Sequence, residues 1–170
     1  MEGIFVEQLV KRIKTGKDVW TSVLLVIGGI IFTPMALYYG FALRYLGYVF
    51  LILLAVMWWC VVRLIKSKTV EYEYVFTEGT LDIDMIIAGS RRGRVITITK
   101  MEFELVAPIS HPYSGEYKTL NCSTKDEDDR LYYIITERHD VGKVRVLFNP
   151  NDKLIEAIKT YRPSVVVTGE

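Results

Sequence analysis

The chain has 170 residues, 51% of them hydrophobic, and a formal net charge of +1, which leaves room for one domain with an appendage. The near-neutral total conceals two parts. Residues 1–68 hold eight Lys/Arg against three acids, a net of +5, while residues 69–170 hold thirteen bases against seventeen acids, a net of −4. An acidic second part lacks the electrostatic footprint that phosphate backbones require, which excludes nucleic acid as a partner. Two cysteines far apart, Cys60 in an apolar run and Cys122 in a polar one, make neither a disulfide framework nor a metal site and suit a reducing compartment.

In chain order, residues 1–17 (MEGIFVEQLVKRIKTGK) read as a short amphipathic helix lying on a membrane surface. Ile4, Phe5, Leu9 and Ile13 share one face, and Glu7, Lys11, Arg12 and Lys14 lie mostly on the other. A frayed extension of the next element is the alternative. Residues 18–66 then read as a transmembrane hairpin. Val19–Leu43 and Tyr45–Val62 carry no charged side chain, giving spans of about 19–42 and 45–63, against the ~20 apolar residues that a bilayer core of ~30 Å demands. A signal peptide has a shorter apolar core and no second span beside it. Thr33-Pro34 is expected to kink the first span, and Gly28 and Gly29 to admit its partner closely.

Aromatic rings gather towards the ends of the runs, so Trp20, Trp58 and Trp59, with Lys17, Arg63 and Lys66, are the expected membrane-interface anchors. Lys11, Arg12, Lys14 and Lys17 precede the first span, Arg63, Lys66 and Lys68 follow the second, and only Arg44 lies between. The positive-inside rule places both termini in the cytoplasm, so the chain is a multi-pass protein of the cell membrane. Neither span holds an interior Asp, Glu, His, Lys or Arg, the usual mark of a substrate or ion path.

After Lys68 the hydrophobic period drops to two. Val70/Tyr72/Tyr74/Phe76, Leu81/Ile83/Met85, Ile96/Ile98, Met101/Phe103/Leu105, Tyr117–Ser123, Leu131–Glu137 and Lys143–Phe148 read as seven antiparallel strands. Turn residues separate them at Thr77-Glu78-Gly79, Ala88–Gly93, Ser110–Gly115, Lys125–Asp129 and Arg138–Gly142. The closing helix, 150–162, has capping side chains from Asn149 to Asp152, an apolar stripe of Leu154, Ile155, Ile158 and Tyr161, and Pro163 as its stop.

Seven short strands and one amphipathic helix, with YEYVFTEGTLDID as an opening hairpin and VRVLFNPNDKLIEAIK as a last strand running into the helix, resemble bacterial PH-like membrane proteins. In these a two-helix transmembrane hairpin precedes a cytoplasmic PH-like domain. The chain is also similar to small membrane-protein families of Gram-positive anaerobes. The resemblance spans residues 17–163. It implies an α+β membrane protein whose seven-stranded antiparallel barrel or sheet, residues 69–165, is closed by the C-terminal helix; it implies no activity.

Arg91, Arg92 and Arg94 are the basic cluster of this domain. Arginine pairs bidentately with phosphate oxygens, so they are the candidate lipid or phosphate contact; as turn residues balancing acids on neighbouring strands they would be structural. PH domains that bind phosphoinositides resemble one another in a basic loop between their first two strands, whereas Thr77-Glu78-Gly79 is acidic and short. Asp126-Glu127-Asp128-Asp129 lacks the glycine and distal glutamate of a calcium loop, and reads as a solvated loop. His111 and His139 stand apart from other metal ligands. No catalytic residue, metal or cofactor is expected, since no G-x-S-x-G, Walker-type loop or nucleophile with a base is present. The reading is a non-enzymatic, membrane-anchored PH-like interaction or scaffold module. Its partners are the lipid bilayer and a protein segment or a second copy; headgroup recognition through the three arginines is the alternative.

Overall fold

The structure is a computed structural model that describes residues 3–42, 47–124, 130–138 and 142–167. The described residues form two compact units. One contains residues 14–69, and the other combines the N-terminal residues up to 13 with everything from 70 onward.

In the first unit, α1 (Gly16–Ala42) and α2 (Gly47–Ser67) pack side by side. Both are long and apolar enough to cross a membrane. Their contact is built on small residues: a Cβ on Gly29 would meet the Trp58 ring at 3.3 Å, and one on Gly47 would meet the Gly40 carbonyl at 2.8 Å. Gly28, expected beside it in that contact, has open space around it. Helix α1 runs on through Pro34, and the preceding residue, Thr33, donates its hydroxyl to the Gly29 carbonyl one turn back at 2.7 Å.

The second unit begins with a correction. Residues 5–11, expected as part of an amphipathic helix, form strand β1 (Phe5–Lys11), paired antiparallel with β2 (Val70–Thr77) from Phe5↔Thr77 to Lys11↔Glu71. The spacing of Phe5, Leu9 and Ile13 is four, which fits both a helix face and one face of a strand. The edge of β2 decides between them: paired there, β1 turns Val6, Gln8 and Val10 towards the core and leaves Phe5, Glu7, Leu9 and Lys11 outside. The helical hairpin is therefore an insertion between the first two strands of the β-domain.

Among the described residues there are eight strands rather than seven, in two four-stranded sheets that do not close into a barrel. Sheet A has the order β1-β2-β3-β4, with β3 at Thr80–Ile87 and β4 at Arg91–Ile98. Sheet B has the order β5-β7-β8-β6, with β5 at Phe103–Pro108, β6 at Lys118–Asn121, β7 at Tyr132–Arg138 and β8 at Gly142–Phe148. One pair, β6 with β8, is parallel. The long connection after β5 lets β6 land on the far edge instead of folding back as a hairpin. The β2–β3 turn needs left-handed backbone at Glu78 (φ 50°) and Gly79 (φ 92°), and there Gly79 also passes close to Tyr161. Between the sheets lies one core containing Tyr74, Phe76, Leu81, Ile83, Ile98, Ile134, Val146 and Phe148. Helix α3 (Asp152–Tyr161) adds Leu154, Ile155 and Ile158 to it. Its N-cap Asn151 accepts the Leu154 N–H at 2.8 Å, and the Tyr161 ring meets Phe76 edge-on at 5.6 Å.

Candidate functional site

The outer face of sheet A is a ladder of charge, and the register explains it. Ile83 pairs with Ile96, but Asp84 pairs with Arg94, so Val95 is an extra residue, a β-bulge. Strict alternation from Ile98 and Ile96 would send Arg94 and Arg92 inward. The bulge reverses the parity and puts both outside, over the acids of β2 and β3. Arg94 bonds Asp84 through Nε at 3.0 Å and Asp82 through Nη1 at 3.3 Å; Arg92 reaches Asp84 at 3.6 Å and pairs with Glu73. Thr97 donates to Asp82 at 2.6 Å, and Lys11 lies 3.5 Å from Glu71. Glu73 and Asp84 are only 7% exposed, because the arginines cover them. A carboxylate removed from water needs such partners. The adjacent carboxylates hold Arg94 protonated still more firmly, with the Asp84 hydrogen bond the largest cause.

This arrangement divides the cluster expected to act together. Arg92 and Arg94 are strand residues rather than turn residues, committed to carboxylates, and they also place charge and a bulge on an edge strand, which discourages unwanted pairing. Arg91 pairs with Ile87 and so belongs to the opposite face, exposed and with no carboxylate partner among the described residues. A further correction concerns the acidic turn Thr77–Gly79, which joins the second and third strands. The first two are β1 and β2, and the segment between them is the helical hairpin with its basic flanks Arg12, Lys14, Lys17, Arg63, Lys66 and Lys68.

The expected interface anchors take different roles. Trp20 and Trp59 are exposed, and Arg63 stacks over the Trp59 ring at 5.3 Å. Trp58 turns to α1 instead, against Gly29, with its Nε1 donating to Thr33 at 3.2 Å. Lys17 stands in the first turn of α1 and Lys66 in the last turn of α2.

Two polar arrangements escape sequence reasoning. Asn149, expected near a cap, is a buried hub. Its N–H donates to Tyr74 Oη at 3.3 Å, its Oδ1 accepts Thr124 N–H at 2.7 Å, and its carbonyl accepts Gln8 Nε2 at 2.9 Å. Gln8 Oε1 accepts the Asn151 N–H at 2.8 Å, so one β1 side chain fastens the first strand to the helix N-terminus. No sequence signal marks a glutamine bridging residues so far along the chain. On the outer face of sheet B, Tyr113, Tyr117 and Tyr133 cluster, and Arg145 lies over Tyr117 at 4.5 Å with Nη1 on its hydroxyl at 2.9 Å. His111 shares contacts with Tyr133, Nδ1 to Oη at 3.3 Å. His139 and the acidic run 126–129 lie outside the described residues. Cys60 and Cys122 are both free, and burial pushes the Cys122 thiol up to about 12. Among the described residues no three His, Cys, Asp or Glu side chains gather as a metal site.

No curated protein and no solved structure matches the chain significantly. Residues 2–168 match the family described as Bacterial PH-like domain (DUF6106), a span that takes in β1, the helical hairpin, both sheets and α3. The chain belongs to this family of bacterial PH-like domains.

Proposed function

We propose that the protein is a non-enzymatic interaction module, in which the helical hairpin fixes the PH-like β-domain to the cytoplasmic face of the cell membrane and the domain binds a protein segment. The anchoring is supported by two apolar helices whose large side chains face outward and by basic residues at both junctions with the β-domain. The single observation that carries the binding is the outer face of β1. Phe5 and Leu9, 62% and 52% exposed, lie on the outer face of this edge strand, and Ile13, 59% exposed, follows two residues beyond its end. An exposed apolar line on a strand that ends the sheet among the described residues suits an extended peptide, whose backbone extends the sheet while alternate side chains cover the apolar residues.

The test places a photo-crosslinking residue at Leu9 of the full chain in its native membrane, with a second chain carrying it at Met101 as the control. A discrete protein adduct at position 9 that is absent at 101 and lost in Phe5→Ser supports the reading. Identical patterns at the two positions, or no adduct at 9, sink it. An adduct with the mass of a dimer identifies a second copy as the bound segment.

A further inference from the structure

Sheet A ends among the described residues on two strands that are built differently. β4 carries Arg91, Arg92 and Arg94 and the bulge at Val95, features that discourage further pairing. β1 is regular: its register with β2 runs from Phe5 to Lys11 without a shift, and it holds no proline or glycine. Two hydrogen bonds fix which way its backbone groups point. The Ile4 carbonyl accepts the Glu78 N–H at 3.2 Å, and the Arg12 N–H donates to the Val70 carbonyl at 2.9 Å. In an antiparallel ladder successive residues bond to opposite sides, so Val6, Gln8 and Val10 turn their N–H and C=O groups to β2. Phe5, Glu7, Leu9 and Lys11 aim theirs at the free edge. Ile13 keeps the alternation: its N–H donates away from β2, to the Thr124 carbonyl at 3.0 Å, which closes the edge beyond Lys11. The residues whose backbone groups face the edge are also those whose side chains are exposed on the outer face.

We infer that the segment bound at this edge is β1 of a second copy, paired antiparallel about a two-fold axis at Leu9. The inference deepens the segment-binding reading above and rests on it. Two copies related by a two-fold axis present the same strand to each other in opposite directions. Only registers that set Phe5, Glu7, Leu9 and Lys11 opposite one another bring the free N–H and C=O groups together. Among these, Leu9 opposite Leu9 sets Glu7 of each copy opposite Lys11 of the other, so an apolar contact is flanked on both sides by opposite charges. The neighbouring register on one side sets Glu7 opposite Leu9, and that on the other sets Lys11 opposite Leu9; each leaves a charge facing the apolar side chain. Glu7 is exposed and has no ion pair among the described residues, and the Lys11 side chain, 75% exposed, is free to turn from Glu71 towards a second acid. Thr124, at the edge beyond Lys11, limits the ladder to Glu7–Lys11 on each copy.

The experiment oxidises the full chain with Cys60→Ser in its native membrane, with single cysteines placed in β1; Cys122 is buried and does not compete. Opposed Cα atoms of a hydrogen-bonded pair lie about 5.5 Å apart, inside the range of roughly 4.4–6.8 Å that a disulfide spans. Leu9→Cys is expected to give a disulfide-linked dimer by itself. Glu7→Cys and Lys11→Cys are each expected to stay monomeric, because an offset of about 14 Å separates each from its own counterpart, and to link to one another when the two chains are co-expressed. In the Leu9→Cys chain, Glu7→Lys should lower the linked fraction several-fold at low salt and by less at high salt. Self-linkage of Glu7→Cys as strong as that of Leu9→Cys, absence of the mixed linkage, or linkage at Leu9→Cys untouched by Glu7→Lys overturns the inference. So does a Leu9→Cys chain that stays monomeric. A photo-adduct at position 9 with a different protein then leaves the segment-binding reading standing, and the lack of any adduct there ends both.

Discussion

The two regions of this chain solve opposite packing problems with the same kinds of side chain. In the hairpin the apolar residues are on the outside: Leu24, Ile31, Phe32, Leu51, Leu53 and Trp59 are exposed, and only 11% and 6% of the most apolar stretches of α1 and α2 are buried. The buried positions are the small or compact Gly29, Ala36 and Val61. In the β-domain Tyr74, Phe76, Phe148 and Leu154 are inside and the outer face of sheet A is charged. A core helix of a water-soluble protein would be mostly buried. The outward apolar side chains of the hairpin suit the membrane proposed above, and the β-domain buries its apolar residues in a core of its own.

The strongest way to break that comparison is to separate the regions. Deleting residues 1–13 removes β1, exposes the edge of β2, and takes Val6, Val10 and Gln8 from the core and its hub. Full burial of one such apolar side chain contributes ~1.5–3 kcal/mol, so two of them together with the glutamine bridge amount to roughly 5 kcal/mol, comparable to a domain's whole stability. The domain 70–170 alone is expected to be aggregated or unfolded by circular dichroism. Residues 1–13 joined to 70–170 by a short glycine linker, replacing the hairpin, are expected to give a soluble domain with a cooperative melt, because Arg12 and Val70 already sit one hydrogen bond apart. An unfolded fusion would show that the β-domain depends on the helices.

A second measurement sharpens the same contrast with matched truncations. Phe148→Ala, fully buried between the sheets, should cost about 3–5 kcal/mol in a denaturant titration of that soluble fusion. Leu51→Ala, half exposed on α2, should leave the helix content and thermal midpoint of the full chain in detergent nearly unchanged. Comparable losses at both sites would contradict the picture of two separately solvated regions.

The limits of sequence reading follow the same division. The two apolar helices and most strands of the β-domain were legible because their periods are plain: an uncharged apolar run that long outlasts any ordinary strand, and Val70/Tyr72/Tyr74/Phe76 has one inward face. The first strand was not, because Phe5, Leu9 and Ile13 satisfy two periods at once and the deciding partner, β2, lies some sixty residues away across the hairpin. The arginine cluster was visible as composition but not as geometry. A single bulge residue, Val95, sends Arg92 and Arg94 to the acids, and no local rule announces a bulge between Arg94 and Ile96. The parallel β6–β8 pair was likewise a matter of where a long connection lands.

The charged face gives the next largest effect. Asp84→Ala removes the carboxylate shared by Arg92 and Arg94, leaving each arginine one acid, Glu73 or Asp82. Losing such a partly buried charged hydrogen-bond partner costs about 1–3 kcal/mol. Denaturation of the soluble fusion measures it, and added salt should narrow the gap between Asp84→Ala and the parent, since what remains of the network is screened. A substitution that left stability untouched would mean that the ladder is a decorated surface and that Arg92 and Arg94 are as available to ligands as Arg91.

The smallest effect, read over the single pH unit from 9 to 10, is a pH dependence carried by the β-domain. Cys122 is buried with its thiol pushed up from 9.0 to about 12 by desolvation. The native state therefore holds the proton that the unfolded chain releases above pH ~9, where an unfolded thiol ionises. With the folded value raised, the stability tied to this proton is fully present below pH ~9 and is lost progressively from there towards about 12. The slope contributed by one group is at most about 1.4 kcal/mol per pH unit. Tyr72 and Tyr74, also raised chiefly by burial, add to the decline above their ordinary value of 10.0. Cys122→Ala should lower stability at pH 7 by the lost packing but flatten the decline between pH 9 and 10, where the thiol acts before the phenols. An unaltered slope would place the alkaline sensitivity in the tyrosines alone. In the full chain in detergent, helix content should stay constant over the same range, because the shifts that drive this decline belong to Cys122, Tyr72 and Tyr74, all in the β-domain.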